Sequence, residues 1–191
     1  MTDWPTEEPR NGPLAKILSL CDYTGVWGGQ YEDEYDVEYV DLQHGKDVRL
    51  AMYQDNVHGV IAQPPCDHFA VSGARWWKSK GEAALIEGLQ LVDACLRIIL
   101  TARPAFWVLE NPVGRLRHYI GPPSHTFNPC DYGDPYTKRT CLWGEFTMPQ
   151  KNPVEPTEGS KMHLVGPGPD RKNIRSATPR GFAEAFRMAN P

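Results

Sequence analysis

The chain has 191 residues, 40% hydrophobic and 23% charged, which suits a soluble globular protein of one ordinary domain, 1–191, with a sizeable core. No apolar run approaches the ~18 residues that span a bilayer, so no membrane partner is expected. The net charge of −4 hides a polarity, with thirteen acids and four bases in residues 1–70 and eleven acids and sixteen bases in residues 71–191. An anionic partner therefore meets the second half more favourably, unless both halves are only solvated faces.

In chain order, Met1 to Pro13 is polar and Pro-rich, with neither a basic start nor an apolar stretch, so no signal peptide is expected and a cytoplasmic location follows. Ala15 to Cys21 reads as a strand that runs into a Gly-rich turn, Asp22 to Gly29. The acidic stretch Tyr31 to Glu38 reads as a loop or short helix. Val37 to Leu42 alternates and forms a second strand reaching Asp41, and Asp47-Val48 marks a further strand edge. Val57 to Ala62 is a third strand, stopped by Pro64 and Pro65, which cannot donate to a ladder.

The spacing of Leu85, Leu89, Val92, Leu96 and Ile99 predicts a helix over Glu82 to Ala102, ended by Pro104. Phe106 to Leu109 is a buried strand closed by Glu110-Asn111-Pro112. A loop-rich stretch, 121–136, precedes a strand from about Thr140 to Trp143, and residues 147–174 carry no periodicity. The last helix runs through Phe182, Ala185 and Phe186, with Thr178 as N-cap and Pro179 in its first position. Strands alternating with helices predict an α/β class with a mostly parallel sheet and ligands at the carboxyl ends of its strands.

Three positions stand out chemically. Of five cysteines (21, 66, 95, 130 and 141), none forms C-x-x-C, so neither a disulfide framework nor a zinc ribbon is indicated. Cys66 alone leaves a strand behind two rigid prolines, which aims its thiol; it is either a nucleophile or an inert thiol. Glu110 ends an apolar strand, where a carboxyl is costly unless paired, here with Arg115 or Arg117, or used as an acid near neutrality. Asp41 follows the Gly-rich turn by about 20 residues, the place of a ribose-binding acid or of a solvated carboxylate.

In this order the residues resemble the cytosine carbon-5 DNA methyltransferases, most of all compact phage-type members. Asp22-Tyr23-Thr24-Gly25-Val26-Trp27 stands at the family's cofactor turn, Asp41-Leu42 at its ribose acid, and Asp47-Val48 at its adenine contact. Gln63-Pro64-Pro65-Cys66 matches the nucleophile loop and Leu109-Glu110-Asn111-Pro112 the strand-end Glu-Asn motif. Lys138-Arg139-Thr140 is similar to the later basic motif, and Arg175 to Asn190 to the closing helical segment.

The resemblance implies a Rossmann-like S-adenosylmethionine-dependent methyltransferase fold, with S-adenosylhomocysteine as the spent cofactor. Catalysis would rest on Cys66, Glu110 and Arg139. Cofactor contacts would come from Asp22, Tyr23, Thr24, Gly25, Val26, Trp27, Asp41, Leu42, Asp47, Val48, Gln63 and Pro64. Substrate contacts would come from Pro65, Asn111, Lys138 and Arg75, with no metal. The implied partner is DNA, duplex with a flipped cytosine, in a host cytoplasm for a phage protein.

Two departures from the family are visible. The first turn lacks the usual aromatic residue and paired glycines. Only about 30 residues separate Gly144 from Arg175, so 145–174 is a reduced loop region where the family has a large target-recognition region. An accessory specificity subunit would answer that shortage. Alternatives are methylation of a free cytidine nucleotide, a catalytically silent DNA-binding or regulatory homologue, and a thymidylate-synthase type of pyrimidine chemistry, whose loop Pro64-Pro65-Cys66-Asp67-His68 resembles.

Overall fold

The structure, a computed structural model, describes residues 13–53 and 55–191. The expectation for the polar lead lies outside the described residues, apart from Pro13. Six strands form one sheet in the order β2-β1-β3-β4-β6-β5: β1 Lys16–Leu20, β2 Asp36–Val40, β3 Val57–Ala62, β4 Phe106–Pro112, β5 His125–Phe127 and β6 Thr140–Glu145. β2, β1, β3 and β4 are parallel; β6 runs antiparallel to both β4 and β5.

The central strands are apolar on both faces because both faces are covered. Leu18, Leu20, Val60 and Leu109 point to one core with Val92, Cys95, Ile98 and Ile99 of helix α1, Trp77–Ala102. Ile17, Ile61 and Val108 point to the other, with Trp27, Tyr31, Phe182 and Phe186. Phe182 and Phe186 lie on α4, Arg180–Ala189; the shorter helices are α2, Arg117–Ile120, and α3, Arg171–Ser176.

α1 has a backbone break at Gly81 (φ 78°, ψ −179°), so its regular part begins at Glu82, as the periodicity predicts. It ends at Ala102 because Arg103, the residue before Pro104, is barred from helical geometry and turns left-handed (φ 48°).

Several expectations need correction. Asp47-Val48 belongs to turns rather than a strand edge: Leu42–His44 is a 3-10 turn, and Asp47 accepts from the Arg49 backbone and guanidinium. The acidic stretch is neither wholly loop nor helix, since β2 takes up its end. Thr178 does not cap α4. Pro179 is the cap residue, and the hydroxyl of Thr178 donates instead to Gln63 Oε1 at 2.7 Å. The first turn of α4 is capped from a distance, by Asp134 accepting from the Gly181 N–H. The stretch read as loop holds β5, which has only three residues and too little pattern to betray a strand.

Candidate active site

Strand register brings the chemistry to one edge of the sheet. Leu20 pairs with Ala62, and Ala62 with Leu109, so Cys21 and Gln63, the first residues past β1 and β3, stand level with Glu110, from which β4 continues to Pro112. β6 is antiparallel, so its beginning meets the end of β4, with Pro112 opposite Thr140. That reversal carries Lys138 to the same edge. The result is a solvent-open cleft of about 450 Å³. It is lined by Cys21 to Thr24, Gln63 to Cys66, Glu110, Pro112, Lys138, Arg175 and Ser176.

The turn after β1 is built on Asp22. Its buried carboxylate accepts from Ser19 Oγ (2.9 Å), Thr24 Oγ1 (3.1 Å) and the Gly25 and Gly28 N–H groups (3.0 and 3.4 Å). Four donors satisfy a charge that would otherwise be expensive to bury. Gly25 supplies the left-handed φ of 66°. Gly28 has no room for a Cβ, which would sit 2.8 Å from Ser19 Oγ and 2.9 Å from the Tyr39 ring. Asp22 thus shapes the turn, while Tyr23 and Thr24 line the cleft.

The loop that carries Cys66 is tied down from three sides. Asn111 Nδ2 donates to the Pro64 carbonyl at 2.8 Å, fastening the loop to the end of β4. Arg115 donates through Nε to the His68 carbonyl at 2.7 Å, and its guanidinium lies 4.3 Å over the Trp77 ring. The Arg115 N–H also bonds the Phe69 carbonyl (2.9 Å), and a bridge joins Ala70 to Gly114. Gly114 must be glycine there, because a Cβ would overlap the Phe69 carbonyl. From the solvent side, Lys80 donates to the Asp67 carbonyl and Lys172 pairs with the Asp67 carboxylate at 3.3 Å.

Burial pushes the Cys66 thiol up to about 11; Glu110 and Asp67 add to the rise, and Lys138 opposes it. The resting thiol is therefore protonated at neutral pH. Burial likewise raises the Glu110 carboxyl; Lys138 opposes this, Asp22 reinforces it, and the Thr140 hydroxyl opposes it. Among the described residues Glu110 forms no ion pair within 4.0 Å, and Arg115 is engaged with His68 and Trp77. No group of three or more His, Cys, Asp or Glu side chains converges among the described residues.

The other expected site residues are placed as follows. Gly25 and Val26 lie in the turn behind the cleft lining, and Trp27 is wholly buried, its ring centroid 5.2 Å from Phe182 and 5.0 Å from Phe186. Asp41, Leu42, Asp47 and Val48 follow β2 and do not line the cleft; Asp41 accepts from the Gln43 N–H at 2.8 Å. Their neighbourhood does reach its mouth: His44 bonds the Tyr23 carbonyl (3.2 Å), and Gln43 faces Asn173 of α3 (3.4 Å).

Arg75 is exposed on the 3-10 turn Val71–Trp76, 5.1 Å over Trp76. Lys138 lines the cleft and Arg139 does not. Alternation across 138–141 puts Lys138 and Thr140 on the Glu110 side and leaves Arg139 exposed, near Cys141. The sequence marked Arg175 only as the start of the closing segment, and it pointed neither to Ser176 nor to the clamp of Arg115. The only signal was position: two polar residues just before a helix that returns to the sheet.

No family model matches the chain. It is 30% identical over 122 residues to the "Probable DNA (cytosine-5)-methyltransferase" of Frog virus 3 (isolate Goorha), covering 59% of this chain and 55% of the relative. The chain thus spans about half the length of the curated relative it matches. Among solved structures it is similar to a "putative DNA modification methyltransferase encoded within prophage" (E. coli), with a TM-score of 0.51 and 17% identity over 74% of this chain and 53% of that one. The six-stranded mixed sheet flanked by helices is therefore a fold it shares with a methyltransferase.

Proposed function

We propose that this chain is a cytosine carbon-5 DNA methyltransferase that uses S-adenosylmethionine and the Cys66 thiol. The observation that carries the reading is the convergence of Cys66, Glu110 and the Asp22-pinned turn on one cleft at the carboxyl edge of the sheet. The resemblance in motif order and the similarity to a viral protein of that name support it.

The residues present fit the cofactor. The turn after β1 lets backbone approach closely, and buried donors of Gln63 and Arg175 lack acceptors. When bound, S-adenosylmethionine supplies an electrophilic methyl group. Everything else falls to the chain. Asp22 shapes the turn and Tyr23 and Thr24 border it.

Carbon 5 of cytosine is a poor nucleophile until a thiolate adds at carbon 6. Cys66 forms that sulfur–carbon bond and pushes the ring's double-bond electrons toward carbon 5. Glu110, whose pKa burial raises, donates a proton to ring nitrogen 3 as charge develops there. The charge of Lys138 favours the Cys66 thiolate, and the thiol's proton passes to solvent as the substrate binds. With carbon 5 methylated, loss of its proton to a base expels the thiolate. Duplex DNA would deliver the cytosine flipped out of its stack.

Incubation with labelled S-adenosylmethionine and duplex DNA, single-stranded DNA or dCMP tests the reading. Label should enter DNA with wild type and not with Cys66→Ala, and DNA carrying 5-fluorocytosine should trap a covalent adduct at Cys66. Label on dCMP alone would make the substrate a free nucleotide. No transfer to any substrate would favour a silent binding protein.

A further inference from the structure

Helix α3 is tied to both rims of the cleft, and what holds it differs in kind from what holds the rest of the site. On one rim Asn173 and Gln43 exchange side-chain amide hydrogen bonds at 3.4 and 3.5 Å. Gln43 precedes His44, which bonds the carbonyl of the cleft residue Tyr23. On the other rim Lys172 pairs with the carboxylate of Asp67 at 3.3 Å, one residue past Cys66. Arg175 and Ser176 of the same helix line the cleft itself.

The chain is firmly seated before and after this helix. Upstream, Asn152 and Val154 donate their N–H groups to the Asp131 and Cys130 carbonyls at 2.9 and 2.8 Å, and Glu158 donates to the Pro135 carbonyl at 2.9 Å. Lys161 then lies 4.4 Å over the Tyr136 ring. Downstream, Thr178 donates to Gln63 Oε1 at 2.7 Å, and Phe182 and Phe186 are wholly buried.

The stretch between these anchors has no such support. Among the described residues, the backbone hydrogen bonds of 162–176 stay within the segment from Lys161 to Ala177, and none of its side chains joins either hydrophobic core. Leu164 and Ile174 are exposed. A Cβ on Gly166 or Gly168 would meet nothing within 4 Å, so no packing pins the Gly-Pro run that leads into α3.

The two rim contacts therefore keep α3 over the cleft, and both are weak. Each pair is exposed, so water competes for its groups. The Cys66 loop is held in the opposite way, by buried or part-buried bonds from Asn111 (2.8 Å) and Arg115 (2.7 Å) and by the bridge between Ala70 and Gly114. Lys80 still holds the Asp67 carbonyl, at 2.7 Å, when Lys172 leaves. Of two elements at one cleft, the one with fewer buried contacts opens at lower cost.

We infer that residues 162–177 form a strap that narrows the mouth of the cleft, and that parting Lys172 from Asp67 and Asn173 from Gln43 widens it while the Cys66 loop stays in place. Entry of a bulky reactant to Cys66 is governed by α3 and not by the loop that carries the thiol. Only the identity of that reactant, a cytosine base, rests on the proposed function.

Alkylation of Cys66, followed by peptide mass spectrometry, tests the strap without any turnover. Iodoacetamide is small, and pyrenyl maleimide is bulky and uncharged. Both need the thiolate, so the ratio of their rates cancels any change in the thiol's acidity. The bulky-to-small ratio should rise about two- to fivefold in Lys172→Met and in Asn173→Ala, the range for losing one exposed pair, and further in the double variant. Lys172→Arg, which keeps the charge, should stay near wild type. Thermal melting of each variant checks that the fold persists.

Hydrogen exchange gives a second readout on the wild-type protein. The Ile174 amide bonds the Asp170 carbonyl within α3 and the Val71 amide bonds the Val113 carbonyl across the Cys66 loop, both at 2.9 Å. Ile174 should exchange at least ~10-fold faster. A ratio unchanged in both single variants, or exchange at Ile174 no faster than at Val71, would overturn the strap. Neither readout needs methyl transfer, so failure of the strap and failure of the proposed function are distinguishable.

Discussion

Burial raises the pKa of both Cys66 and Glu110. With its thiol pushed up to about 11, Cys66 is almost wholly protonated at neutrality. Its alkylation by iodoacetamide in the free protein should climb about tenfold per pH unit from about pH 7 to about pH 10. A plateau near the ordinary thiol value would show that burial does not hold the proton.

Glu110 has the opposite bearing on stability from an ion-paired carboxylate. Its folded pKa is raised above its unfolded value, so within that window the folded state binds more protons. Stability contributed at low pH is then lost as pH rises from the ordinary carboxyl range through the raised value. Glu110→Gln should therefore melt higher than wild type at about pH 8, with the difference vanishing at about pH 4. The same variant should transfer methyl groups at least ~100-fold more slowly, because it removes the positioned acid. A gain in stability with loss of activity would mark Glu110 as retained for chemistry rather than for folding.

The element that matters most is the loop 63–71, held by contacts from β4 and the chain after it. Asn111→Ala removes the donor to the Pro64 carbonyl and should cost about 1–3 kcal/mol in urea denaturation, the usual penalty for an unsatisfied buried group. Gly114→Ala forces a Cβ against the Phe69 carbonyl and should cost a similar ~1–3 kcal/mol by overpacking. Methyl transfer by the folded fraction should fall in both variants, since each displaces the backbone that aims Cys66. If activity per folded molecule is unchanged, the clamp serves stability alone. Elsewhere, Thr178 shows how one polar residue changes role between levels. Locally it reads as a helix cap, but tertiary packing gives its hydroxyl to Gln63, while Asp134 supplies the cap from a distant turn.

At the scale of the whole molecule, the acidic first half and basic second half meet at the cleft edge. Arg75 and Lys78 lie exposed on the segment that follows the Cys66 loop. Removing both should lower the salt dependence of duplex binding by nearly two phosphate contacts, each worth a slope of about −0.9 in log affinity against log salt. Adenosyl-ligand affinity should stay unchanged, and fluorescence anisotropy across a salt series reads the first effect directly. Residues 145–174 contribute turns and loops around α3, so few of their side chains are held on a rigid element that could read a groove.

The succession of strands along the chain and the places of Cys66 and Glu110 at the sheet edge were legible in the sequence because they depend on local signals. Val57 to Ala62 and Phe106 to Leu109 are apolar without alternation, since both sheet faces are buried, and each run stops where Cys66 or Glu110 begins the polar edge. Tertiary structure alone decided the rest. Lys138 rather than Arg139 reaches the cleft because an antiparallel β6 pairs Thr140 with Pro112, and side chains then alternate from that register. Arg175 reaches it because α4 docks its aromatic face on Trp27 and Phe127, carrying the preceding residues over the sheet edge. Neither register nor docking leaves a periodic mark on the residues it brings together, because both are set by partners far away along the chain.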